Sequence, residues 1–184
     1  VRRMTTKAEA ITLMKGRLRK YTGTEMDTYL AAELGFAQEQ VCEQDPHKPW
    51  FLISEMSTTT LLAAEDRILI PSDFLRELEE GSLWRYDASN TDDPYVDLTK
   101  DDYDALKNRY PGTGEPVAYD LLGKYFVVVP VPEEDTVIKM KYYQRDEAIS
   151  DLGDAETNLW LTHAADWLIS AALERLAADY LEMP

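Results

Sequence analysis

The closing stretch of the chain constrains the fold more than any other. Thr162 opens a run to about Tyr180 in which apolar residues, from Ala164 and Trp167 to Ala178 and Leu181, nearly encircle a helix. A helix apolar all round has to be covered, and a lone protein of this size has little room to cover it. Its alanines permit close approach of a second helix. The run therefore points to packing between subunits, and the alternative is tight wrapping by the chain's own N-terminal helices.

Those helices are signalled at the start. Thr6-x-x-Glu9 is a capping-box signature, followed by Ile11, Met14, Leu18 and Tyr21 on one helical face. Gly23 stops the first helix. Thr24-x-x-Asp27 resembles a second cap, and Met26, Leu30, Leu34, Ala37 and Val41 trace another stripe, so the first 44 residues read as a helical hairpin.

From Asp45 the texture changes, because Pro46 and Pro49 break helix. Phe51 to Leu62 is rich in β-formers, Ala64-Glu65-Asp66 is a turn, and Arg67 to Ile70 is extended. Pro71-Ser72-Asp73 predicts a capped short helix through Glu80, ended by Gly81. Ser82 to Tyr86 is extended, Asp87 to Pro94 is polar loop, and Thr99-x-x-Asp102 predicts a helix to about Tyr110. Val117–Leu121 and Tyr125–Val129 flank a tight turn and predict a hairpin. Thr136 to Arg145 returns with strict alternation: Val137, Lys139, Lys141 and Tyr143 oppose Ile138, Met140, Tyr142 and Gln144. Asp146 to Asn158 is loop. The expected fold class is thus α+β: a helical bundle from the N-terminal hairpin and the C-terminal helix, with an inserted antiparallel β-meander region. The helical core is residues 1–45 and 157–184, and the β-rich insert with two short helices is 46–156.

Charge narrows the function. The 184 residues carry a net charge of −16, which lacks the surplus cations that a duplex-gripping protein uses to neutralise phosphates. Residues 1–25 hold seven Lys/Arg against Glu9 and Glu25, a balance of +5 that leaves −21 for the remainder. A basic first segment on an acidic body can dock on an acidic neighbour, a copy of itself included, or be a solvated helix face. Hydrophobic content of 45% argues against disorder. The one cysteine, Cys42, excludes an internal disulfide, fits a reducing cytosol, and reads as a small buried hydrophobe. No apolar run approaches the roughly 20 residues of a membrane span, and no signal-peptide pattern is visible. The sequence opens at Val1 without methionine, and arms beyond either end are allowed for.

Chemistry is sparse. His163-x-x-Asp166 has helical ligand spacing without a third ligand, and His47 sits in a proline-flanked loop. The acid runs Glu79-Glu80, Asp92-Asp93, Asp101-Asp102 and Glu133-Glu134-Asp135 read as solvated loop and helix-start charge. Gly112-Thr113-Gly114 lacks the Lys-Ser/Thr of a phosphate loop. No catalytic, cofactor or metal residues are assigned.

Several phrases, in order, resemble the tailed-bacteriophage adaptor family, the head-to-tail connector proteins between portal and tail. They are Pro49-Trp50-Phe51-Leu52, Leu69 through Pro71-Ser72-Asp73-Phe74 to Glu77, Leu98 to Tyr110, Gly114 to Tyr119, Gly123 to Pro132, Tyr142-Tyr143 with Leu152, and Thr157-Asn158-Leu159-Trp160-Leu161. The resemblance spans about residues 6 to 181. It implies a structural virion protein without catalysis or cofactor, made in the host cytoplasm and placed at the head–tail interface. It further implies a ring, usually twelve-fold, that docks on the portal, meets tail or nozzle proteins, and lets DNA pass without specific binding. Expected interface residues are Lys15, Arg17, Arg19 and Lys20 from the basic segment, with Trp160, Trp167, Leu168, Ala172 and Leu176 from the closing helix. The alternatives are another neck or tail-completion protein, or a tail-associated cell-wall hydrolase using a carboxylate pair. For the latter, no Glu has a lone apolar setting that would raise its pKa.

Overall fold

A computed structural model describes residues 5–18, 23–44, 48–79 and 81–181. In chain order the helices are α1 (Lys7–Leu18), α2 (Thr24–Gln44), α3 (Tyr103–Arg109), α4 (Leu159–His163) and α5 (Ala165–Leu181), with a 3-10 turn at Trp50–Leu52. The strands are β1 (Ser57–Leu61), β2 (Arg67–Leu69), β3 (Phe74–Glu77), β4 (Leu83–Tyr86), β5 (Tyr95–Asp97), β6 (Thr99–Lys100), β7 (Ala118–Leu122), β8 (Tyr125–Val129), β9 (Thr136–Met140) and β10 (Tyr142–Gln144). The chain is α+β. It divides into two compact units, residues 1–52 with 145–184, and residues 53–144.

In the first unit α1, α2 and α5 pack pairwise, and α4 packs on α5 and on the 3-10 turn. The capping box forms reciprocally: Glu9 N donates to Thr6 Oγ1 (3.3 Å) and Thr6 N to Glu9 Oε2 (3.2 Å). Ile11 and Met14 of α1, and Leu30, Leu34 and Ala37 of α2, are buried, while Met26 and Val41 are half-buried. Buried Gln38 ties α2 to the loop before α4. Its amide donates to Glu147 O (3.0 Å) and accepts from Ile149 N (3.1 Å).

Two expectations for the closing helix need correction. The helix is not covered all round: Leu168, Ile169, Ala172 and Leu176 are buried at helical spacing, while Trp167, Ala177 and Ala178 are exposed. The chain's own α1 and α2 pack on α5. Nor does Thr162 cap it. Asn158 caps α4, its Oδ1 accepting from Leu161 N (3.0 Å), and Thr162 Oγ1 instead donates back to Asn158 O (2.8 Å).

The second unit holds three sheets with orders β1-β9-β4-β5, β10-β3 and β2-β8-β7-β6. The pairings are antiparallel except β6 with β7. The expected β7–β8 hairpin forms with Leu122 opposite Tyr125, and Gly123 takes φ +60°, as the first central residue of a type II′ turn must. The meander stops there, since β8 and β9 lie in different sheets. The alternation in β9 and β10 holds: Ile138, Met140 and Tyr142 are buried, and Val137, Lys139 and Tyr143 are half-buried. At Lys141 the strand leaves one sheet for the next, its N–H donating to Ser82 O (3.0 Å). The core gathers Leu61, Leu83, Tyr119, Phe126, Ile138 and Met140. Burial pushes the Tyr119 phenol well above its ordinary range, and its oxygen accepts from Ser82 N (3.0 Å).

The helix expected after Pro71 is a strand. β3 pairs with β10, and Asp73 accepts from Tyr142 Oη (2.9 Å) instead of capping. The Tyr142 phenol is pushed up to about 12, chiefly by burial and then by that bond. The other short helix is real but begins later: Asp102 caps α3, accepting from Ala105 N (3.1 Å), and Thr99 belongs to β6.

Candidate functional site

A binding protein needs exposed anchors, and the first unit offers an aromatic series. Trp50, 70% exposed, lies edge-on to His163 (centroids 5.1 Å), and His163 stacks on Phe51 (5.4 Å). Phe51 meets Trp160 (5.2 Å), which meets Trp167 (6.1 Å). The local sequence explains the series. Pro49 directly precedes the 3-10 turn, and the Asn158 cap fixes α4, which carries Trp160 and His163 on neighbouring turns. His163 therefore sits among rings rather than acting with Asp166 as a ligand pair, and His47 lies outside the described residues. Among those residues no group of three or more His, Cys, Asp or Glu could hold a metal ion. Cys42 is buried, and burial raises its thiol pKa, so it stays a neutral thiol.

The second unit carries a cleft of about 470 Å³ lined by Arg85, Tyr86, Glu115, Glu133, Glu134 and Asp135, among others. Arg85, 8% exposed, forms its floor and reaches Glu115 (3.1 Å) and Asp87 (3.9 Å), while its Nε is buried without a hydrogen-bond partner. Hydrogen bonds from Ser89 hydroxyl and amide, helped by Arg85, lower the pKa of Asp87. Glu133 accepts from Thr113 Oγ1 (2.6 Å), and Asp135 accepts from Ala63 N (2.9 Å), which fixes the turn between β8 and β9. Four carboxylates around one buried guanidinium suit a cationic ligand. Sequence reasoning took Glu133-Glu134-Asp135 as surface charge only. The signal was Arg85, a charge on the same strand parity as buried Leu83.

The expected interface residues separate by burial. Trp160, Leu168, Ala172 and Leu176 are buried within the single chain. Trp167 is 49% exposed. Lys15 pairs with Asp27, and exposed Arg17 donates to Ser170 Oγ (3.3 Å). Arg19 and Lys20 lie outside the described residues.

The description "SU10 adaptor protein" belongs to a family model that matches residues 7–183. The chain belongs to the SU10 adaptor protein family. No curated protein matches it. An SU10 adaptor is a phage structural protein of the head–tail connector type, which works through contact with other structural proteins of the virion. The family is one of structural adaptors and is not known for catalysis. Among the described residues no helix is long and apolar enough to cross a membrane. The phrases that carried the resemblance occupy joints in this adaptor's fold: Pro71-Ser72-Asp73-Phe74 turns β2 into β3, and Asn158-Leu159-Trp160-Leu161 caps and anchors α4.

Proposed function

We propose that this adaptor assembles as a ring, twelve-fold in keeping with the family resemblance, that joins the portal to the tail and extends the DNA channel. The observation that carries the reading is the family match over residues 7–183, nearly the whole chain. Charge supports it. Residues 53–144 contain 19 Asp/Glu and 9 Lys/Arg, a net −10 of the total −16. Acidic groups on an inner wall repel the phosphate backbone, so that DNA slides past without sticking. The helical core, residues 1–45 with 157–184, forms the ring in this reading. The insert, residues 46–156, and the exposed rings of Trp50 and Trp167 are left for portal or tail proteins.

Native mass measurement of the purified protein, with and without the portal of the same phage, tests the proposal. A portal complex carrying one ring of adaptor copies supports it. A protein that stays monomeric and unbound in the presence of the portal sinks it. A neutral or basic inner wall in an imaged ring would remove the electrostatic part alone.

A further inference from the structure

We infer that strand β1 is a docking edge that takes, by main-chain pairing, an extended segment of another virion structural protein, uncharged at its centre and basic at its ends. The free side of β1 follows from its neighbours. Lys141 N donates to Ser82 O (3.0 Å), and in that register the odd-numbered residues Val137 and Lys139 bond toward β4. Successive residues of a strand turn their main-chain groups to opposite sides. Thr136, Ile138 and Met140 therefore bond toward β1, opposite Leu61, Thr59 and Ser57. Thr58 and Thr60 are left with N–H and C=O pointing away from the sheet. Both residues are exposed, β1 is an end strand of its sheet, and among the described residues no hydrogen bond reaches those outward groups.

An open edge pairs with any strand that reaches it, and proteins guard such edges with charge, proline or a bulge. The other end strands are guarded. β5 follows Pro94 and ends at Asp97, β2 lies between Asp66 and Pro71, β6 ends at Lys100, β3 holds Arg76 and Glu77, and β10 runs into Arg145. β1 has no such guard. Its five residues pair with β9 without a register shift, and residues 56–64 hold no Asp, Glu, Lys or Arg in a chain that is 29% charged. Met56 and Leu62, 43% and 49% exposed, flank it with apolar surface that an added strand covers. Charge then selects the strand. Exposed Glu55 precedes the uncharged run, and exposed Glu65 follows it with Asp66. A second copy fits poorly, because β1 against β1 brings acid to acid at both ends of two chains that each carry −16. β8, an uncharged strand of this chain, is already paired on both sides. A segment with Lys or Arg at its ends meets those acids with opposite charge. The family works through contact with other structural proteins of the virion, so the strand comes from one of them, and the inference rests on that membership without needing a ring.

Proline separates the edge from the fold. Thr58→Pro with Thr60→Pro removes both outward N–H groups and leaves the inward bonds of Ser57, Thr59 and Leu61 in place. Thr58→Val with Thr60→Val keeps every main-chain group. Each full-length variant is mixed with the purified portal and, in parallel, with the purified tail proteins of the same phage. The native protein and the valine variant are expected to bind one of these, and the proline variant to bind it about tenfold or more weakly. In the native complex, amide exchange at Thr58 and Thr60 is expected to slow, whereas Thr59, bonded to β9, is slow already. Should the proline variant fail to fold, exchange in the native complex decides alone. Binding to none of these proteins, equal binding by a folded proline variant, unchanged exchange at Thr58 and Thr60, or slowed exchange on self-association alone would overturn the inference. The ring reading is judged separately by mass: a ring without protection of Thr58 and Thr60 in the portal or tail complex sinks the edge alone, and such protection without a ring sinks the ring alone.

Discussion

Asn158 uses both ends of its amide while only 8% exposed. Its Oδ1 caps α4 through Leu161 N (3.0 Å), and its Nδ2 donates to Glu147 O (2.8 Å). Asn158→Ala removes the cap and one of the two donors to Glu147 O, the Gln38 amide remaining, so a loss of about 0.5–2 kcal/mol is expected in denaturant titration. Asn158→Ser keeps a capping oxygen and should recover part of it. A loss near zero for the alanine variant would mean that α4 is held by Trp160 and Leu161 alone. Beside it, Asp146 accepts from Leu159 N (2.7 Å) and Glu147 N (3.1 Å), and burial, its largest influence, raises the carboxyl pKa above 3.8 against those bonds. The folded chain therefore holds this proton more tightly than the unfolded chain. The contribution to stability is full below 3.8 and is lost as pH rises through the raised value. Measured against Asp146→Asn, the native protein should lose relative stability across that interval and run parallel above it. A relative gain with rising pH would contradict the assignment.

At the scale of elements, what was legible depended on whether the signal was local. The capping box at Thr6 and Glu9, the Gly123 turn with its φ of +60°, and the alternation through β9 are decided by neighbours in sequence, and each formed as expected. The segment Asp73–Glu80 carries a cap and good helix formers, yet residues 74–77 pair with β10. There Phe74 packs on Phe126 and Tyr142 (centroids 5.5 Å each), a tertiary gain that outweighs a weak local preference. The cleft was illegible for the same reason. Its acids lie on the β8–β9 turn and beside Gly114, and its floor is on β4, so only the fold brings them together. Helix α5 shows the limit of composition, because alanine serves either face. Its sidedness is testable: Leu168→Ala, at a fully buried site, should cost about 2–5 kcal/mol. Ala177→Lys, on the exposed side, should stay within about 0.5 kcal/mol. A large loss from Ala177→Lys in the isolated protein would mean that this face is covered after all.

For the whole molecule, assembly sets long-range repulsion against short-range bridging. Each copy carries −16, and that repulsion reaches about 30 Å at 0.01 M salt but only about 8 Å at 0.15 M. Basic contacts between copies act over a few ångströms, so added salt weakens them less than it weakens the repulsion. In the proposed ring the basic segment supplies such contacts. Arg17, exposed and bonded to Ser170 Oγ, presents its charge at the surface of the helical unit. Arg17→Glu with Arg19→Glu changes each copy by four charges, to −20 by residue count, and replaces attraction by repulsion in that segment. Helical content by circular dichroism should be unchanged, because exposed substitutions seldom shift stability by more than about 0.5 kcal/mol. Assembly of the variant on the portal, followed by native mass at both salt concentrations, should fail at 0.01 M and recover only in part at 0.15 M. The native protein should assemble at 0.15 M and less completely at 0.01 M. If variant and native protein assemble equally at both, the basic segment has no part in joining the copies.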